Sequence, residues 1–340
     1  RLMTRSDIVL HLEARLRIQE EYRKHPEIDD QVIDAPTMIV GSGRCGTSAM
    51  MTLISQDRDI AVLRSWEALF PAPAPERATY YTDPRIERAD KLMTQWNRVT
   101  PEIEGMHEFD GTSPTELIHA EAIGFQSVAW LYLYGFVPSY IGYMATRSSE
   151  PAMREAKRVL KLLQWKNPRS RWILKSPDAM RYMPDVFKVF PDMRLVWMHR
   201  DPIKAVSSMT NLIGTLFWIR SDQRLHPNTF EQITNPAGLA NMFNQVIDWL
   251  EQGVIPPGRM LNILYADFIK DPVASAANIY AHAGIEMSAD GRAALEKYTR
   301  EHPREKRVTH AYSTGDEARR AEERALFARY QSFFNVPTEA

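Results

Sequence analysis

The chain has 340 residues, of which 44% are hydrophobic, 25% charged and 10% aromatic, enough for a sizeable core in one large α/β domain or two small ones. Against 43 Asp and Glu stand 42 Lys and Arg, a formal charge of −1, so no global field draws the protein to nucleic acid or an anionic membrane and any basic site must be local. A single cysteine, Cys45, excludes an intrachain disulfide and a cysteine-cluster metal site, and fits a reducing compartment.

The chain opens on Arg with no signal-peptide layout, and reads as a trimmed or partial product. Residues 6–24 carry Ile8, Leu10, Leu12, Leu16 and Ile18 among charges at helical spacing, with Asp7 as cap, which predicts an amphipathic helix packed on the main body. Residues 1–35 therefore form an N-terminal element and 36–340 the main domain. Short apolar runs at Met38–Val40, Ile60–Leu63, Trp172–Leu174, Leu195–Met198 and Asn262–Leu264 read as buried strands, most followed by a helix-like segment. That alternation predicts an α/β fold, a parallel sheet covered by helices on both faces, with ligands at the carboxyl ends of the strands. A stretch of about a hundred residues, 68–168, exceeds an ordinary strand–helix connection. It holds Phe125, Trp130, Tyr132, Tyr134, Phe136, Tyr140, Tyr143 and Trp165, and reads as a helical insertion. Those aromatics are either its core or a lid over an apolar acceptor. No run approaches the roughly 20 apolar residues of a membrane span.

The stretch "PTMIVGSGRCGTSAMM" (36–51) carries the chemistry. Gly41 and Gly46 have the glycine spacing of a phosphate loop, but Thr47 stands where a nucleotide triphosphatase has Lys. Glycines admit backbone N–H groups to an anion, the next helix offers its positive end, and Arg44 adds a forked cation. Such a loop suits a phosphate-like anion without an obligatory metal. "RLVWMHRDPIKAVSSMTNL" (194–212) repeats the logic with Arg200, Ser207 and Ser208. Two anion sites at neighbouring strand ends imply a ligand with two separated phosphate groups.

Rival motifs fail on spacing. "HRDPIKAVS" lacks the protein-kinase Asn five residues after Asp, where Val206 stands. Cys45 as a phosphatase nucleophile needs Arg six positions on, where Met51 stands, so a small loop filler is the better account of it. No His-Glu-x-x-His pair supports a zinc hydrolase. A small-molecule kinase of P-loop architecture needs a Walker Lys and an acidic strand end, whereas Lys175 and His199-Arg200 make both strand ends basic. A nucleotide-binding module without catalysis remains a third class.

The loop at 36–51 resembles the 5′-phosphosulfate loop of sulfotransferases that use 3′-phosphoadenosine 5′-phosphosulfate (PAPS). "VWMHRDPIKAVSSM" is similar to their 3′-phosphate motif, with Arg200 and Ser208 eight apart, and "LNILYADFIKDP" (261–272) to their later Tyr-containing segment. "LLQWKNPRSRWILKSP" (162–177) looks like a bacterial branch, and "REKRVTHAYS" (304–313) resembles the basic C-terminal segment. Gly43 and Cys45 depart from the usual Pro and small hydroxyl, and Ala49 stands where cytosolic members place an adenine-stacking Trp. The resemblance implies a three-layer P-loop-like fold and transfer of a sulfuryl group from PAPS to a hydroxyl of a small, apolar acceptor, leaving 3′-phosphoadenosine 5′-phosphate. It implies that Gly43, Arg44, Cys45, Gly46, Thr47 and Ser48 hold the 5′ end, that Arg200 and Ser208 hold the 3′-phosphate, and that Tyr265, Lys306 and Arg307 complete the site.

Lys175 matches the family's lysine that neutralises charge on the bridging oxygen, with a solvated strand-end lysine as the plain alternative. Related branches carry a glutamate after the second strand, which makes Glu67 the expected base unless it merely caps the next helix or pairs with Arg64. His107 and Glu116 are reserves. The remaining expectations are no metal, a cytoplasmic protein, no nucleic-acid partner and room for a homo-oligomer.

Overall fold

The computed structural model describes residues 2–106, 109–134, 137–168, 171–221, 235–303 and 316–339. Four parallel strands form the sheet: β1 (Thr37–Val40), β2 (Ile173–Lys175), β3 (Arg194–His199) and β4 (Met260–Leu264), in the order β2-β1-β3-β4. All four residues of β1 are buried, as a central strand covered on both faces requires. Met38, Val40, Leu195 and Trp197 face one helical layer, and Ile39, Val196 and Met198 face the other. The chain thus folds as three layers, α/β/α, as expected.

The run at 60–63 is not a full strand. It makes a single parallel bridge, Ala61 with Trp172, beyond the edge of β2. Pairing stops there because the chain turns, bridging Arg64 to Pro114 in the opposite sense and entering a helix at Ser65.

The first helix, α1 (Leu2–Lys24), starts before Asp7, so Asp7 is not its cap. It lies in the second turn and pairs with Arg220 at 2.6 Å. The buried face runs His11, Ala14, Ile18 and Tyr22, while Ile8, Leu12 and Leu16 face outward, Leu16 being 72% exposed. The apolar residues divide between two faces, and two polar ones, Asp7 and His11, join the packed face because partners await them there. Asp7 meets Arg220, and the His11 ring packs edge-on against Tyr134 and Trp130.

Helices α2 (Thr47–Ile54), α3 (Ser65–Leu69) and α4 (Pro84–Val99) follow. Several helices begin on one device, an Asp or Asn cap followed by Pro: Asp83-Pro84, Asp201-Pro202, Asn235-Pro236 and Asp271-Pro272. The cap side chain accepts from a first-turn N–H, and Pro occupies a position whose N–H needs no partner. This fixes where Pro202–Trp218 starts, one residue past Arg200-Asp201, and so where the second anion motif points.

Within 68–168 the described backbone is helical between loops, with α4, Ile118–Glu121, Ala129–Tyr132, Pro138–Ala145 and Glu150–Trp165. Trp66, Trp96, Phe109, Trp130 and Tyr134 form a separate core with Leu216 and Ile219, so most of these rings are packing. Phe136 lies outside the described residues.

Candidate functional site

The loop after β1 bends sharply over the carboxyl edge of the sheet. Gly41, at φ +146°, passes so close to β3 that a Cβ would lie 2.7 Å from the Met198 carbonyl oxygen. Gly46, at φ +87°, is pressed on the Tyr265 ring, and a Cβ there would come within 3.1 Å of it. These two positions need glycine for conformation and for space. Gly43 lies against Met209.

Arg44 adopts φ +73° without being glycine. Its partners over-determine it: the side chain donates to Ser208 Oγ (3.0 Å) and to the Met106 carbonyl, and its own carbonyl accepts from Arg200 Nη1 (3.0 Å). Backbone strain held this way clusters at functional sites. Arg44 is therefore the junction of the two anion motifs. Ser208, buried on Pro202–Trp218, meets the loop arginine, and Arg200 lies 4.3 Å over the Tyr265 ring.

Thr47 is buried at the head of α2, and Ser48 accepts from Lys175 Nζ at 2.6 Å. Lys175, the last residue of β2, is buried and also pairs with Glu116 at 2.8 Å. Two backbone bonds place Glu116: Thr115 N–H donates to the Leu63 carbonyl (2.8 Å) and Leu117 N–H to that of Lys175 (2.8 Å). The Glu116 side chain is 21% exposed. Nearby Glu121 is fully enclosed, and burial first, then Asp178 and Glu116, push its carboxyl well above the usual range.

Glu67 is fully buried in α3. One carboxylate oxygen accepts the Arg64 backbone N–H (2.9 Å) and the other the Tyr80 hydroxyl (2.8 Å), a helix-capping arrangement. Cys45 is buried beside Ser42, and burial pushes its thiol up to about 11, which suits a filler rather than a nucleophile. His199 does not add to the basic strand end. It is buried, donates from Nε2 to Asn262 and accepts at Nδ1 from Tyr330, and burial lowers it to about 4, so it is neutral. His107, Lys306 and Arg307 lie outside the described residues.

One contact escapes sequence reasoning: Glu339 chelates Arg200. Neither residue's local pattern signals it.

A parallel α/β sheet whose strand ends gather Arg44, Lys175 and Arg200 around a glycine loop defines an anion-handling protein of P-loop layout. Residues 36–289 match the profile of the sulfotransferase family, and the chain belongs to that family. Its fold is similar to the crystal structure of sulfotransferase STF9 from Mycobacterium avium, at TM-score 0.85 and 24% identity, covering 99% of this chain and 86% of that one. It is also similar to sulfotransferase STF1 from Mycobacterium tuberculosis H37Rv, at TM-score 0.75 and 24% identity, covering 94% and 83%. No curated protein matches the chain. No helix among the described residues is long and apolar enough to cross a membrane.

Proposed function

We propose that the protein transfers the sulfuryl group of PAPS to a hydroxyl of a small acceptor, with Lys175 and Glu116 at the centre of the reaction. The observation that carries this reading is the position of Lys175, whose ammonium touches both Ser48 of the phosphate loop and the Glu116 carboxylate. One cation thus joins the donor side of the site to the side an acceptor would approach.

The donor set fits a nucleotide bearing two phosphate groups. Arg44, Thr47, Ser48 and the loop amides would hold the 5′ end, and Arg200 and Ser208 the 3′-phosphate. When bound, PAPS supplies an electrophilic sulfur and a phosphate leaving group. Lys175 is placed to neutralise charge that builds toward the loop, the kind of electrostatic help that dominates group transfer. Glu116, beside it, is placed to take the acceptor's hydroxyl proton as the oxygen attacks sulfur. Glu67, whose carboxylate caps α3, keeps the segment carrying Arg64 in place.

The apolar acceptor expected from the sequence is part of this proposal. The single, unpaired and buried cysteine is in keeping with a cytoplasmic location, which fractionation tests. The test of function is transfer of radiolabelled sulfate from PAPS to a panel of aliphatic and aromatic alcohols in the presence of EDTA. Product formation is expected. Strict divalent-ion dependence with consumption of ATP would establish the kinase alternative instead.

A further inference from the structure

Arg200 is held by the protein's own C-terminal segment. Its Nε donates to Glu339 Oε1 (2.9 Å) and Oε2 (3.2 Å), and Nη2 donates to Oε2 (2.9 Å). This is the two-pronged grip by which a guanidinium holds a phosphate. Nη1 meanwhile donates to the Arg44 carbonyl, and the guanidinium rests on the Tyr265 ring.

The segment bearing Glu339 is fixed by independent contacts. Val336 is buried, and its N–H donates to the Gln331 carbonyl (3.0 Å). Thr338 accepts from Arg324 (2.9 Å), which also pairs with Asp201 (3.2 Å). The Glu339 backbone N–H donates to Asp201 Oδ2 (2.8 Å). Asp201, the cap of Pro202–Trp218, therefore anchors both the helix that presents Ser208 and the chain that presents Glu339. The Arg200–Glu339 pair is less enclosed than its anchor, with side-chain exposures of 15% and 32%, while Asp201 has none. The carboxylate has room to leave, whereas the backbone beneath it is tied.

We infer that Glu339 is a displaceable carboxylate of the nucleotide site, which holds Arg200 in its binding posture and must yield before a 3′-phosphate can take the same guanidinium edge. This rests on the proposed role of Arg200 as the 3′-phosphate contact. The competition weakens the hold on any 3′-phosphorylated nucleotide, product included, and leaves nucleotides without that group unaffected. Product release, often the slow step of group-transfer enzymes, is thereby eased.

Calorimetry with 3′-phosphoadenosine 5′-phosphate and with adenosine 5′-monophosphate tests it on the full chain. Removing the competitor raises the binding-competent fraction, so Glu339→Gln should tighten the 3′-phosphorylated nucleotide about two- to fivefold, the range set by a partly exposed pair. Adenosine 5′-monophosphate should bind as before. Glu339→Asp, which keeps the charge but shortens the reach, should tighten by less. In an Arg200→Ala background, Glu339→Gln should do nothing. Unchanged or weaker binding of the 3′-phosphorylated nucleotide to Glu339→Gln overturns the inference, as does equal tightening of both nucleotides or persistence of the effect without Arg200. If Arg200→Ala alone leaves that affinity intact, the assignment of Arg200 to the 3′-phosphate fails, an outcome read separately from the Glu339 result.

Discussion

The nucleotide edge and the helical side beneath which an acceptor would enter are built on different plans. At the carboxyl edge of the sheet, the proposed nucleotide side, each candidate group sits beside the strand that carries it: Arg44 follows β1, Lys175 ends β2, and Arg200 follows β3. On the helical side, Glu116 reaches Lys175 only because backbone bonds bind its segment to Leu63 on one flank and to Lys175 on the other. The first plan needs short contiguous motifs. The second needs a whole tertiary structure. Two glutamates show the difference: Glu67, the base expected from its place after the second apolar run, accepts the Arg64 backbone N–H in a helix cap, while Glu116, the reserve, meets Lys175.

That contrast is sharpest in a pair of variants. Glu116→Gln should lower turnover by about 10²–10⁴-fold, the usual worth of general-base help, and should also lower the melting temperature, because it leaves the buried Lys175 without its counter-charge. Normal turnover in this variant, with loss in Glu67→Gln, would return the base to Glu67. Glu67→Gln is expected to act on stability, since a buried acceptor of two hydrogen bonds is altered. Its cost is about 1–3 kcal/mol by chemical denaturation, with nucleotide affinity unchanged.

Acid should separate the regions more gently. His199 under the carboxyl edge of the sheet and His11 under the helical side are buried, and burial lowers both to about 4. An unfolded chain binds these protons near 6.5, so stability falls as pH drops from about 6.5 to 4, by about 1.4 kcal/mol per pH unit for each histidine. On the helical side Asp7 works in the opposite direction. Burial raises it to about 6 despite Arg220, so the folded chain binds its proton first, and stability gains as pH falls from about 6 to 3.8. Glu121, raised by burial, works in the same direction as Asp7, so the share of His199 is read from its own variant. In denaturant melts from pH 7 to 4, His199→Gln should remove about one proton's worth of the acid-induced loss relative to the parent chain while lowering stability overall. An unaltered slope would place the acid-sensitive group elsewhere.

Much of this architecture was legible beforehand, for a physical reason. Strand–loop–helix units announce themselves through apolar runs, glycines with obligatory spacing and Asp-Pro helix starts, all local in sequence. Hence the sheet and the residues it brings to its carboxyl edge could be read, apart from the 60–63 run, whose pairing is cut short by a turn that Arg64 makes with distant Pro114. Periodicity misled at α1, where apolar residues occupy two faces and the packed one includes Asp7 and His11. Whether a polar residue is buried depends on a partner such as Arg220, far along the chain. Glu339 was beyond reach for the same reason and Glu116 stood only as a reserve base, since each acquires meaning from a cation on another element.

The tie between Asp7 and Arg220 has a consequence for where this protein can be cut. The family match begins at residue 36, which invites a truncation there. Arg220 follows directly on the helix that presents Ser208, and its side chain is only 6% exposed. Removing α1 would strip a buried guanidinium of its counter-charge, a loss of about 3–5 kcal/mol for such pairs, and would uncover the surface now sealed by His11, Ala14, Ile18 and Tyr22. The folding unit is thus larger than the homology unit, and the dispensable-looking first helix is a strut on which the nucleotide half leans.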